Sequence, residues 1–314
     1  MKLSIALATY NGERYLSEQL SSIQAQSRAP DELVVSDDCS TDRTLQILRD
    51  FERQADFPVV VIENQRQVGY AGNFGRALSK TSGDLVFFCD QDDVWMPNKV
   101  RVVERLATDN PWAFVIMHDV AIVDENLEHY GATKLGNFHR LSIPEDRYVM
   151  GAAAAVKRSW LAALMPIPKS QSAHDNYVLS PAISGGLRLL SPFVLMSYRQ
   201  HGANTSLHYA NSIYPPSRLH RVLRFIKIFV RKPFRAPIKH LATTCLQLTD
   251  SKHALGRGIL STDCCRIRDA LSHFVEKVAA MEQVCLQRLD LTDMSRIKRV
   301  PRVYEMYREG AYRG

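Results

Sequence analysis

The chain has 314 residues, 46% of them hydrophobic and 23% charged, with a formal net charge of +7; this is a globular composition and excludes a low-complexity or fibrous chain. No run approaches the ~18 apolar residues that a membrane-spanning helix needs, and the opening LSIALA is cut short by TYNGERY, so no signal segment and a cytoplasmic location are expected. The six cysteines show no CxxC spacing, which suits reduced thiols better than disulfides or a zinc site.

Strand-like and helix-like segments alternate through the first part of the chain. LSIALA, ELVVS, VVVIE and LVFFC are short apolar or β-branched runs, and helical patterns lie between them over Glu13–Gln26, Thr41–Gln54 and Tyr70–Ser82. The alternation predicts a mainly parallel sheet with helices on both faces. Ligands of such sheets bind outside the carboxyl ends of the strands. The polar residues just after each run should therefore converge: Thr9, Tyr10 and Asn11; Asp37 and Asp38; Asn64; and Asp90 to Asp93.

After WAFVIMHD the alternation loosens. VAIVDENLEHYG reads as a hairpin or bent strand, and MGAAAAVKRSWL as a small-residue turn leading into a helix. From about Ser217 the pattern is helical to the end, so a boundary is expected near residue 210, between a catalytic region (1–210, its halves meeting near 118) and a helical region (211–314).

Five stretches carry candidate chemistry. In DDCSTDRT (Asp37–Thr44), Ser40 or Thr41 can cap the following helix, which leaves Asp37 and Asp38 free to accept hydrogen bonds from a ligand such as a pyrimidine imide. GYAGNFGRAL opens a helix with three glycines, as a phosphate cradle or as a turn that needs φ > 0. DQDD gathers three carboxylates within four positions. A helix cap accounts for one of them, whereas a D-x-D pair can approach one hard cation and leave room for phosphate oxygens. SAHDNYVL offers Asp175 as a helix cap or as a general base. SYRQHGANTS supplies Arg199 and His201, a phosphate-binding cation and a candidate metal ligand.

Taken together and in this order, ATYNGERYL, VVSDDCSTDRT, FCDQDDVWMPNKV, AHDNYV and YRQHGANTS resemble family-2 glycosyltransferases, specifically the bacterial branch that includes rhamnosyltransferases of surface-polysaccharide assembly. The resemblance spans roughly residues 1–206. It implies a GT-A type, Rossmann-like mixed sheet flanked by helices, followed by an all-helical C-terminal region. It also implies that Thr9, Tyr10, Asn11, Asp38, Asn73 and Asp90 hold the nucleotide, and that Asp92 and His201 take Mn2+ or Mg2+. Arg199 would meet the diphosphate and Asp175 would be the catalytic base. The implied partners are a nucleoside-diphosphate sugar (dTDP-rhamnose, a UDP-sugar or a GDP-sugar) and a glycan or lipid-linked acceptor. Cys39 departs from the small Gly or Asn usual at its position, which should alter the turn's packing more than its chemistry. A sugar nucleotidyltransferase and a non-catalytic sugar-nucleotide or membrane-binding scaffold are the alternative readings.

Charge is unevenly spread, with ten Lys or Arg and no Asp or Glu between residues 176 and 249. Within it, RLHRVLRFIKIFVRK (Arg218–Lys232) puts apolar residues on one helical face and Arg218, Arg221, Arg224, Lys227 and Arg231 on the other. Such a helix suits an anionic membrane surface, here the inner face of the plasma membrane, or packs on the catalytic region with a solvated basic face. Nucleic acid is not expected, because no aromatic stacking platform is interleaved with the charges.

Overall fold

The computed structural model describes residues 1–168, 173–202, 209–216 and 263–277. Four apolar segments, β1 (Leu3–Thr9), β2 (Glu32–Asp37), β3 (Val59–Glu63) and β4 (Leu85–Cys89), are joined by α1 (Leu16–Gln24), α2 (Thr44–Gln54) and α3 (Gly69–Lys80). These strands run parallel in the order β3-β2-β1-β4. β1 and β4 are buried almost throughout. Near-continuous apolar runs of this kind belong to a sheet covered on both faces.

The second half turns the sheet into a mixed one. After β5 (Val94–Trp95) and α4 (Lys99–Asp109), the nine buried residues of β6 (Val115–Val123) form a hairpin with β7 (His129–Thr133), as the VAIVDENLEHYG pattern predicts. α5 (Lys134–Arg140) follows at once. β8 (Ala154–Lys157) enters antiparallel between β4 and β6, and β9 (Arg188–Arg199) lies parallel to β6. α6 (Arg158–Leu164) and α7 (His174–Ser184) lie between β8 and β9. The path of the nine-stranded sheet ends β8-β6-β9-β5, with β7 beside β6 off this path. β8 is a strand where a turn was expected. Its Ala154–Ala155–Val156 run lacks the usual β-branched signature, but small side chains suit a strand held between two neighbours.

The register of β6 and β9 shifts between His118 and Asp119, where Pro192 and Phe193 bulge out of β9. Proline cannot donate to the ladder, and the bulge re-aims the residues that follow it. Because β8 is antiparallel to both β4 and β6, the carboxyl ends of β1, β2, β4, β6 and β9 share one edge.

The helix α8 (263–277) buries Ile267, Ala270 and Leu271, and Ala270 closely approaches Gly185 at the end of α7. That stretch of the C-terminal region packs on the sheet-bearing part. The amphipathic segment Arg218–Lys232 lies outside the described residues.

Candidate active site

At the β1 and β2 ends, polar side chains build a floor. Thr9 Oγ1 donates to Asp37 Oδ1 (2.8 Å), and Asp37 also accepts from Ser40 N (2.9 Å). Asp38 accepts from Asn64 Nδ2 (2.9 Å), Val68 N (2.8 Å) and Gly69 N (2.9 Å), tying β2 to the start of α3. Asn73 donates to the Thr9 carbonyl (3.0 Å) and accepts from Asn64 Nδ2 (3.1 Å). The Thr9 and Asn73 side chains, both expected at the nucleotide, are buried and hydrogen-bonded within the protein. Asp38 Oδ2, with one partner, retains accepting capacity.

Asn11 takes a positive φ of 46° and accepts Thr41 N at 2.8 Å, which locks the β1 loop to the β2 loop. Tyr10 stands half exposed at this rim. Its backbone is clasped from both sides by Gln91, through Tyr10 N to Oε1 (2.9 Å) and Nε2 to Tyr10 O (3.0 Å). Gln91 thus joins the first loop to the acidic turn, a role that the DQDD pattern concealed. Cys39 has φ of 65°, the left-handed region that favours Gly or Asn; its thiol donates to the Asn64 carbonyl at 3.0 Å.

The acidic turn divides its work. Asp93 is fully buried and accepts Arg199 N (3.1 Å), bracing the turn against β9. Arg199, 2% exposed, donates from Nε to the Asp92 carbonyl (2.8 Å), from Nη1 to the Glu125 carbonyl (2.6 Å) and from Nη2 to Glu18, while lying over the Tyr15 ring. The guanidinium of Arg199, expected at the diphosphate, ties β9 to the acidic turn, to the Glu125 carbonyl and to Glu18.

Asp92 points the other way. Its Oδ2 lies 2.9 Å from His201 Nε2, the pair predicted for a metal. The separation is that of a direct hydrogen bond between the two side chains, and it is also close to the ~3.0 Å between adjacent ligands of an octahedral ion at ~2.1 Å. Among the described residues no group of three or more His, Cys, Asp or Glu side chains forms a metal cluster. A magnesium-like ion needs only one or two protein carboxylates when phosphate and water complete its shell.

Asp90 completes the cluster. Burial first, then the charges of Asp92 and Asp175, push its carboxyl up to about 8. Asp175, in the first turn of α7, thus acts on the same acidic turn across more than eighty residues of sequence. Its neighbour His174 is fully buried, stacked on Phe74 (3.9 Å between centroids) and edged by Tyr70, with burial lowering its pKa to about 4. This aromatic clamp and the close approach of Gly151 fix the start of α7: a Cβ added at Gly151 would lie 3.1 Å from His174 Nε2 and 3.4 Å from Asp175 Cβ.

Two buried ammonium groups had no clear sequence signal. Lys99 donates to the Ala152 carbonyl (2.9 Å) and sits 3.7 Å above the Trp95 ring, and burial lowers its pKa to about 7. Lys134 begins α5, and burial lowers its pKa to about 8 against the pull of Asp175, Asp93, Asp119 and Asp90.

Comparisons with known proteins place the family and the fold. A segment of 99 residues is 36% identical to the dTDP-rhamnosyl transferase RfbG of Shigella flexneri, covering 30% of this chain and 34% of that protein. Another of 96 residues is 40% identical to the poly(ribitol-phosphate) β-N-acetylglucosaminyltransferase TarS of Staphylococcus aureus, covering 30% of this chain and 16% of that protein. The chain thus spans well under two thirds of these relatives. Among solved structures, TarS 1–349 with UDP-GlcNAc superposes with a TM-score of 0.54 at 16% identity over 99% of this chain and 92% of that one. The mannosyltransferase PcManGT of Pyrobaculum calidifontis, solved with GDP-Man and Mn2+, gives 0.51 at 19% identity over 89% and 75%. The fold is GT-A. Residues 4–161, half of the chain, match the family model described as glycosyl transferase family 2, and the chain belongs to that family.

Proposed function

We propose that the chain is an inverting, divalent-cation-dependent glycosyltransferase. It moves a sugar from a nucleoside-diphosphate sugar, dTDP-rhamnose or a UDP-sugar, to a hydroxyl of a glycan or lipid-linked acceptor in surface-polysaccharide assembly. The observation that carries this reading is the meeting of Asp90, Asp92, His201 and Asp175 at the strand edge reserved for ligands. RfbG and TarS, named for transfer of rhamnose and N-acetylglucosamine, support the donor classes, and the Mn2+ solved with PcManGT supports the cation.

In this reading Tyr10 and Asp38 receive the base, with Thr9, Asn73 and Asn64 holding Asp38 in place. Asp90 faces the ribose side. Asp92 and His201 would hold Mn2+ or Mg2+, which supplies neutralising charge to the diphosphate when bound. Asp175 accepts the proton of the acceptor hydroxyl as its oxygen bonds to the anomeric carbon. The bond from that carbon to the diphosphate breaks on the opposite face, so configuration inverts and the nucleoside diphosphate leaves with the electron pair. The basic residues of Arg218–Lys232 are assigned to an anionic membrane surface that presents the acceptor.

A thermal-shift screen of UDP-, dTDP- and GDP-sugars with and without Mn2+ tests the reading, because a ligand of the native state raises its apparent stability. We expect a shift of several degrees for one base class, larger with Mn2+. No shift across the panel would overturn the assignment.

A further inference from the structure

The carboxamide of Gln91 sits in the acidic turn, yet no step of the proposed transfer uses it. We propose that Gln91 is the positioning residue for Tyr10. It holds the base-receiving loop at a fixed place relative to the cation side of the site, so that one residue sets the span between base and diphosphate. The inference rests on the proposed role of Tyr10.

Three observations carry it. First, the sheet does not hold Tyr10. The ladder between β1 and β2 ends at the pair of Thr9 and Asp37, and Tyr10, half exposed, is the next residue. Its N–H donates to Gln91 Oε1 (2.9 Å) and its carbonyl accepts from Gln91 Nε2 (3.0 Å), both bonds crossing 81 positions of sequence. A carboxamide offers a donor and an acceptor side by side, whereas an ionised carboxylate or a thioether of the same length does not. Second, the loop is shaped around that carboxamide. A Cβ added at Gly12 would lie 2.3 Å from Gln91 Oε1 and 2.7 Å from its Cδ. Gly12 N donates to Thr44 Oγ1 (2.7 Å), which fixes the glycine and leaves the amide as the part that a side chain would displace. Third, the turn that carries Gln91 is anchored at the two residues that follow. Asp92 Oδ2 lies 2.9 Å from His201 Nε2, and Asp93 Oδ1 accepts Arg199 N at 3.1 Å. Gln91 therefore ties a loop beyond the sheet to a turn braced by β9. It stands between Asp90 and Asp92, the carboxylates proposed for the nucleotide and the cation.

The test is titration calorimetry of the full chain in Mg2+ with UDP, dTDP, GDP and inorganic pyrophosphate, the last carrying the diphosphate chemistry without a base. Gln91→Met keeps the length of the side chain and loses both bonds. It should raise the Kd of the nucleoside diphosphate that the wild type binds most tightly by about 10- to 30-fold. The Kd of pyrophosphate should change by less than about twofold. In a Tyr10→Ala background, Gln91→Met should cost less than about twofold for either probe, because coupled residues do not act additively. Gly12→Ala displaces the same amide from the other side of the contact. It should reproduce the loss, and it replaces Gln91→Met should that variant not fold. Unchanged nucleotide affinity in the folded variant, equal losses for nucleotide and pyrophosphate, or independent losses in the cycle would overturn the inference alone. A Tyr10→Ala protein that binds nucleotide like the wild type would overturn the role of Tyr10 on which it rests. A wild type that binds none of the three nucleotides would overturn the proposed function.

Discussion

Arg199 and Lys134 are both buried where residue type alone suggests exposure. An arginine two residues before the histidine of a YRQHG string looks like a phosphate ligand. Yet its position at the end of β9 puts its guanidinium under the acidic turn, where two backbone carbonyls and Glu18 consume its donors. Removing one partner of a buried, hydrogen-bonded charge costs roughly 3–5 kcal/mol, because the remaining groups stay desolvated. Arg199→Met should therefore lower unfolding stability by about 3 kcal/mol in urea titrations. A diphosphate-binding arginine would behave differently: its loss would leave stability unchanged and weaken nucleotide binding. Lys134 was illegible for the opposite reason. It stands in GATKLGN, which has no acidic neighbour and no motif, and only the β6–β7 hairpin carries it to the carboxylates. Asp92, His201 and Asp175 could be picked out because their strings are distinctive, and the structure brings Asp92 and His201 together at 2.9 Å.

At the scale of elements, periodicity located the parallel half well. Each of the first four apolar runs is a strand, and the three helices differ from expectation by up to three residues at their ends. β8 escaped because alanine carries little strand signal; its identity is set by the sheet that receives it. Met150–Ala155 runs under the ring of Phe88 and beside the start of α7, so small residues there are a packing demand. Gly151→Ala tests this. A new Cβ 3.1 Å from His174 Nε2 requires its neighbour to move by a few tenths of an ångström. His174 is clamped between aromatic rings, so the shift passes to Asp175. Overpacking of one methyl costs about 1–3 kcal/mol, while misplacement of a base costs rate steeply. We expect kcat to fall at least tenfold with the melting temperature lowered by only a few degrees. Full activity in Gly151→Ala would show that α7 is not positioned by this contact.

For the molecule as a whole, acid and base are unevenly spread along the sequence. The carboxylates collect at the strand ends, while the stretch from 176 to 249 carries ten basic residues and no acidic ones. Part of the C-terminal region packs on the sheet-bearing part through Ile267, Ala270 and Leu271, so the two uses foreseen for that region, packing and membrane docking, are compatible along one chain. No helix among the described residues is long and apolar enough to cross a membrane; the attachment proposed for the basic stretch is surface attraction. Each basic residue near an anionic leaflet contributes about 1 kcal/mol, and the attraction decays within a Debye length of roughly 10 Å at 0.1 M salt. The full chain should therefore sediment with vesicles containing about 30% anionic lipid at 50 mM salt and be released at about 0.5 M. Zwitterionic vesicles should not retain it. Changing Arg218, Arg221, Arg224 and Lys227 to Glu should abolish sedimentation without altering the shift that nucleotide and Mn2+ produce in the melting temperature, since Asp38, Asp90, Asp92, Asp175 and His201 are left unchanged. Equal binding to neutral vesicles, or binding unaffected by the four substitutions, would remove the membrane from the proposed cycle and leave the basic stretch to another partner.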